Sequence, residues 1–272
     1  MSAVKRSPVI AVDVNGADDP RAAAEGAASA GVEVLIFGAR EGLSGLDAEI
    51  IDAPVSIAKA ADPARAARST PEASIVQAAK AVAEGRADAL VAGGSTGTAL
   101  AAGLFNVKRA KGIHRPALAI PLPVPGAPVT LLDVGANDLC RPEHLVQFAF
   151  MGAALSSAVL GVARPRVGLL SNGTEPGKGR DEVLEAHARL AGMRGLDFIG
   201  NVEGFALTEG VADVIVTDGF TGNVALKTAE GVSQGMIGFV RRAATSSARA
   251  KAGGALLRPA LRALRDELDP EA

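Results

Sequence analysis

Amide, hydroxyl and lysine side chains recur beside glycine along this sequence, in patterns that suit an anion. The set comprises Asn15, Ser95, Thr96, Asn137, Asn172, Thr174, Lys178, Asn201 and Asn223, joined by the carboxyls of Glu203 and Asp218. Such donors bind phosphate and stabilise an oxyanion as it develops on a carbonyl. The most suggestive stretch is Ala87-Asp88-Ala89-Leu90-Val91-Ala92-Gly93-Gly94-Ser95-Thr96-Gly97-Thr98. An apolar run of strand length ends in small residues, and an alanine-rich helical pattern follows. A buried strand, a tight glycine turn and a helix start offer backbone N–H groups, two hydroxyls and the positive end of a helix dipole. Gly94, Ser95, Thr96 and Gly97 are therefore the expected phosphate-binding residues. The plainer reading is that any α/β chain needs glycine where a strand turns into a helix. Repetition of the device in further loops favours a site.

Other chemistries are poorly served. His114, His144 and His187 fall on different elements with no ligand spacing between them, so no metal is expected. Cys140 and His144 are four apart, the separation of a nucleophile–base pair on a helix. Pro142 places Cys140 just outside that helix, and no third residue to orient the histidine stands nearby, so Cys140 reads as structural. Asp13-Val14-Asn15-Gly16-Ala17-Asp18 lacks the dinucleotide fingerprint, and the Gly93–Gly97 turn lacks a phosphate-loop lysine.

The elements that must carry these loops alternate between strand and helix. Val9–Val12 reads as a first strand ending at Asp13, and Asp18-Asp19-Pro20 opens a helix. Val32–Phe37 is a second strand. The segment 40–68 is irregular and is left without a topology. Thr70-Pro71 starts a helix to about Glu84, and a further helix follows the glycine turn to about Ala110. Residues 117–128 are proline-rich and suit a connection or short edge strands. Val129–Asp133 is a strand, Pro142 starts a helix running to about Val159, and Arg166–Leu170 is a strand. A helix over Arg180–Ala191 follows, then short strands at Phe198-Ile199 and Val214–Val216, and a long helix from about Asn223. This rhythm predicts a mostly parallel sheet covered on both faces, with ligands outside the carboxyl ends of its strands. Every polar glycine loop sits at such an end. With no repeat and no low-complexity linker, residues 1–272 are expected to form a single α/β domain.

Composition narrows the partners. The chain has 272 residues, of which 48% are hydrophobic and 21% charged, the balance of a globular protein with a sizeable core. Aromatics make up 3%, with no Trp or Tyr, and the net charge is −2, so a base-stacking or electrostatic nucleic-acid surface is not expected. A single Cys excludes an internal disulfide and suits a reducing compartment. The N-terminus lacks the apolar core of a signal peptide, and no apolar run is long enough to span a membrane, so a cytoplasmic protein is expected.

Longer motifs carry a resemblance. Leu131-Leu132-Asp133-Val134-Gly135-Ala136-Asn137, the run from Cys140 through Pro142, His144 and Gln147 to Ala149, Gly177-Lys178-Gly179, Phe198-Ile199-Gly200-Asn201-Val202-Glu203-Gly204 and Asp218-Gly219-Phe220-Thr221-Gly222-Asn223 stand in order. So does Pro165-Arg166-Val167-Gly168-Leu169-Leu170. Together they resemble the phosphate acyltransferases of bacterial phospholipid synthesis, the PlsX family, over most of the stretch from Ser74 to Asp269. The resemblance implies a three-layer α/β/α fold like that of isocitrate and isopropylmalate dehydrogenases, and a homodimer. It implies transfer of a long-chain acyl group from acyl carrier protein to inorganic phosphate, with no metal or nucleotide cofactor and with peripheral membrane association. The alternatives are a short-chain enzyme using acyl-coenzyme A and a non-catalytic membrane or partner-binding relative.

Four departures stand out. Asn15-Gly16-Ala17 replaces a Met-Gly-Gly run, Ser95 an Asn, and Ser171-Asn172-Gly173-Thr174-Glu175 an Asn-Ile-Gly-Glu run. The family also continues past the position of Pro270, so the chain is expected to lack its C-terminal segment.

The reaction implied needs no covalent enzyme intermediate, because phosphate is itself the nucleophile. Lys178 is expected to neutralise phosphate or oxyanion charge, Asn137, Asn201 and Asn223 to donate to the oxyanion or thioester, and Asp218 or Glu203 to orient the lysine. Asp218 and Asn223 could instead cap the last long helix. Between Arg241 and Arg265 seven basic residues stand with no acidic one, and Leu256, Leu257, Leu261, Leu264 and Leu268 recur at helical spacing around an early Pro259. That pattern suits a helix facing anionic lipid, an acidic carrier protein, or a core or dimer mate.

Overall fold

The computed structural model describes residues 7–124 and 128–268. The chain divides into two compact units, Met1–Gly112 and Ile113–Ala272, each with its own sheet.

The first unit runs β1 (Val9–Asp13), α1 (Pro20–Ala28), β2 (Glu33–Gly38), a 3-10 turn (Arg40–Leu43), β3 (Glu49–Asp52), α2 (Pro63–Ser69), α3 (Ser74–Ala83), β4 (Ala89–Ala92) and α4 (Thr96–Asn106). The strands are all parallel in the order β3-β2-β1-β4. Both early helices start on an Asp-Pro pair. Asp19 accepts from Ala22 N at 3.0 Å and Asp62 from Arg65 N at 2.9 Å, each with proline at the first turn. The expected helix start at Thr70-Pro71 is corrected to Ser74. Residues 70–73 are instead drawn into a bridge between Val55 and Ala73, sealed by Ser74 N donating to Val55 O at 2.9 Å.

The second unit runs β5 (Ala119–Leu122), β6 (Val129–Leu132), α5 (Pro142–Val159), β7 (Arg166–Leu170), α6 (Asp181–Ala191), β8 (Asp197–Val202), α7 (Ala206–Glu209), β9 (Val214–Val216), α8 (Gly219–Thr245) and α9 (Ala248–Leu268). The order is β5-β6-β9-β7-β8, parallel except for the antiparallel edge pair β5–β6. The proline-rich stretch thus yields an edge strand, where Pro121 is tolerated. Strand β9 is fully buried at the centre, and α5 lies close enough that a Cβ on Gly152 would stand 2.5 Å from Val214 Cγ1. Leu145, Phe148, Leu169 and Leu190 complete that core. Pro259, expected early in its helix, lies well inside α9. That helix already starts at Ala248, where Ser247 Oγ accepts from Ala250 N at 3.1 Å. The side chains of 264–268 lie outside the described residues, so Arg265, Leu264 and Leu268 do not enter the surface described below.

Candidate active site at the strand ends

At the end of β6 the buried Asp133 organises a loop. Its carboxylate accepts five hydrogen bonds, from the backbone of Leu118, Gly135, Ala136 and Asn137 and from Asn137 Nδ2, at 2.8–3.2 Å. Asn137 Nδ2 also donates to Pro116 O at 2.7 Å, which commits both of its N–H bonds. The Asn137 carbonyl then accepts from Gly219 N at 2.7 Å, joining this loop to the end of β9. No side chain fits at that junction. A Cβ on Gly219 would stand 2.8 Å from Asn137 N, and one on Gly222 1.9 Å from Asp133 O.

Asp218 is the N-cap of α8. Its Oδ1 accepts from Thr221 N at 2.9 Å and its Oδ2 from Thr221 Oγ1 at 2.8 Å. Its Oδ2 also receives a short contact from Arg180 Nη2. The capping alternative from sequence is thus realised for Asp218, and the Arg180 bond adds a charged partner. The Asp218 side chain is 4% exposed and that of Arg180 50%. Arg180 also meets Glu182 Oε1 at 3.1 Å. Arg180, Asp218 and Thr221 line a cleft of about 410 Å³ with Ser171, Asn172 and Thr217.

The loop 171–180 is held from β8. Asn201 Nδ2 donates to Glu175 O at 2.8 Å and Lys178 O at 3.3 Å, while its Oδ1 meets His187 Nδ1 at 2.9 Å. Like Asn137, Asn201 is buried with its amide spoken for, which differs from the substrate-donor role expected of both from sequence. Gly179 makes the turn possible with φ +115°. Lys178 is exposed, and its ammonium makes no hydrogen bond or ion pair among the described residues. Asn223 is likewise exposed with an uncommitted amide, and its Cγ lies 3.8 Å from where a Cβ on Gly135 would stand. Glu203 follows β8 half-buried.

The first unit carries the glycine turn expected to bind phosphate. Ser95 caps α4, accepting from Thr98 N at 3.4 Å and meeting Thr98 Oγ1 at 2.9 Å, while Thr96 and Gly97 are exposed. Gly94 presses on Gly16, where an added Cβ would stand 2.8 Å from Gly94 Cα. Gly93 N donates to Asp13 O at 2.8 Å.

Cys140 does not form a pair with His144. His144 Nδ1 accepts from Arg141 N at 3.2 Å, and the Cys140 thiol faces the Asn137 carbonyl at 3.9 Å. Burial, reinforced by the Asp133 and Asp218 carboxylates, pushes the thiol up to about 12, so it is protonated at neutral pH. Contrary to the spacing argument, His114 and His144 do meet. With Glu143 they bring ligand atoms within 4.8 Å of one another. His144 Nδ1 is already an acceptor, so its proton sits on Nε2 and neither nitrogen offers a lone pair to a cation. Arg115 and Arg141 add positive charge there, and burial lowers the His144 pKa. The cluster therefore fits a cation poorly.

Arg180 lines the cleft but is not among the candidate residues legible from the sequence. Its position suits the start of a helix, and the signal that could have found it is Lys178-Gly179-Arg180, which places two cations beside a glycine.

A family model described as "Fatty acid synthesis protein" matches residues 9–272. The chain belongs to this family. It is 45% identical to a phosphate acyltransferase of Bacillus licheniformis, over 96% of this chain and 82% of that protein. A phosphate acyltransferase of Moorella thermoacetica is 44% identical, over 96% of this chain and 80% of its own. Among solved structures, a phosphotransacetylase from Streptococcus pyogenes superposes with TM-score 0.65 at 20% identity, over 84% of this chain and 82% of that one. A phosphotransacetylase from Staphylococcus aureus gives 0.61, over 84% and 83%. These likenesses show the fold, and they agree with the α/β class expected. The family identity agrees with the resemblance drawn from the motifs, and makes the chain an acyltransferase of fatty acid and phospholipid synthesis.

Proposed function

We propose that the protein transfers a long-chain acyl group from acyl carrier protein to inorganic phosphate. The observation that carries this reading is Arg180, a cation that lines the cleft, with Lys178 two residues before it in the same loop. Lys178 is uncommitted, and Arg180 is aimed by the buried Asp218, in a member of the phosphate acyltransferase family. A phosphate oxygen attacks the thioester carbonyl, the C–O bond forms, and charge collects on the carbonyl oxygen. The C–S bond then breaks, leaving acyl phosphate and a carrier thiolate that takes up a proton. Lys178 and Arg180 balance phosphate and oxyanion charge, and Asn223 donates to the oxyanion. Asn137 and Asn201 act as positioning residues that fix the two loops. Gly94, Ser95, Thr96 and Gly97 form an anion cradle at the start of α4 in the first unit.

The surface of the last two helices supports two further parts of this reading. Val232, Met236, Ile237, Phe239 and Val240 of α8 are exposed, which suits a second copy of the chain. Leu256, Leu257 and Leu261 of α9 stand exposed beside the exposed Arg258 and Arg262, which suits an anionic lipid surface or an acidic carrier protein. Among the described residues no helix is long and apolar enough to cross a membrane.

The test is incubation of the chain with long-chain acyl carrier protein and phosphate. Phosphate-dependent release of carrier thiol is expected. Release from acyl-coenzyme A alone would favour a short-chain enzyme, and no release from either donor would favour a non-catalytic relative.

A further inference from the structure

Three large apolar side chains stand in solvent close in sequence to candidate site residues of the second unit, and one of them, Phe220, lies between the cleft residues Asp218 and Thr221. Leu139, two residues past Asn137, is 82% exposed. Phe220, two past Asp218, is 61% exposed, and Val224, next to Asn223, is 50% exposed. The bond from Gly219 N to Asn137 O, at 2.7 Å, ties their two stretches side by side. Phe220 and Val224 are four apart on α8, so they share a face and lie about 6 Å apart along its axis. Large apolar side chains left exposed together beside candidate site residues mark a surface that is covered in use. An acyl donor brings such a cover. Its carbonyl must reach the cations while its chain needs an apolar wall leading away from them.

We propose that Leu139, Phe220 and Val224 form the seat for the first methylenes of the acyl chain and set the preference for chain length. This rests on the acyl-transfer reading above. The probe is acyl carrier protein loaded with a palmitoyl chain that bears a diazirine near the carbonyl, photolysed with the protein and mapped by mass spectrometry. Label on the peptides holding Leu139 or Phe220–Val224, competed by unlabelled palmitoyl carrier protein, is the expected result. Label elsewhere, or none, overturns the seat. For Phe220→Ser, KM for a palmitoyl donor should rise about tenfold more than KM for a butyryl donor. Equal losses for both donors, or a changed oligomeric mass with an unmoved length profile, would assign the face to another role and overturn the proposal. Label at the seat without phosphate-dependent turnover would remove the reaction and keep the seat. Turnover with label elsewhere would do the reverse.

Discussion

Asp13 and Asp133 occupy equivalent places in the two units and are treated in opposite ways. Each follows or ends an interior strand at its carboxyl end, and each is buried, at 3% and 0% exposure. Asp133 accepts five hydrogen bonds and fixes the loop that meets the start of α8. Asp13 Oδ1 has no partner among the described residues, and the turn beside it is held by bare backbone, Gly16 on Gly94. Burial pushes the Asp13 carboxyl up from its ordinary value, with Ser74 and the Asn15 backbone opposing it. The same position in an α/β unit can thus hold a rigid support or an unsatisfied group that a proton relieves.

The largest expected difference between the two carboxyls is in stability. Asp133→Ala should cost on the order of 4 kcal/mol in chemical denaturation, because several buried N–H groups lose their acceptor together. Asp13→Asn should change the unfolding free energy at neutral pH by less than about 1 kcal/mol. Equal costs would erase the distinction.

Next comes turnover. Lys178→Ala should lower phosphate-dependent turnover by roughly 2.7–4 kcal/mol, about a hundredfold to a thousandfold, with circular dichroism unchanged. Arg180→Gln should lose turnover and also about 1–2 kcal/mol of stability, since it strips a half-exposed partner from the buried Asp218. If Arg180→Gln left both stability and turnover alone, the charged support of the second unit's cleft would be discounted.

The sign of a pH effect sharpens the contrast. A carboxyl whose folded pKa is raised binds its proton more tightly in the folded state. Its stabilising contribution is complete below the ordinary value of 3.8 and is lost as pH rises through the raised folded value. Denaturation midpoints across that range should therefore be flatter in Asp13→Asn than in the parent chain. Parallel profiles would show that Asp13 does not titrate in this way.

Smaller effects are expected from Ser95→Ala and Cys140→Ala. The first loses a long capping bond, worth roughly 0.5–1 kcal/mol in thermal or chemical unfolding. A loss of phosphate dependence far beyond that cost would strengthen the case for the glycine turn as a cradle. The second should keep turnover within about a few-fold, because the protonated thiol is not the nucleophile. An acyl group trapped on Cys140 would contradict it.

The sequence made most of this fold legible where local chemistry agrees with packing. Pro142 fixed the start of α5, and the apolar runs at Arg166–Leu170 and Val214–Val216 matched β7 and β9 residue for residue. Reading failed where a distant segment decided the outcome. Val55 draws Ala73 into a bridge and delays α3, and α2 lay in a stretch without clear periodicity. The site was legible as a set of loops, but less so as a set of roles. Nothing in Asn137 or Asn201 tells that their amides bind Pro116, Glu175 and Lys178 rather than face solvent. His187 Nδ1 meets Asn201 Oδ1, a contact that no local pattern announces, and Arg180 finds Asp218 only once β7 and β9 are neighbours.

Strand order has a consequence for synthesis. Strand β9 lies between β6 and β7 although it is made last of the five. Roughly 80 residues separate the end of β6 from β9, so at ribosomal speed the gap stays open for roughly 4–16 s. In the later part of that interval, once α5 and β7 have been made, the nascent chain presents the unpaired edges of β6 and β7 and the apolar face of α5 to its surroundings. This is the stage at which a chaperone, or another nascent copy, has access to what later becomes the most deeply enclosed strand of the unit.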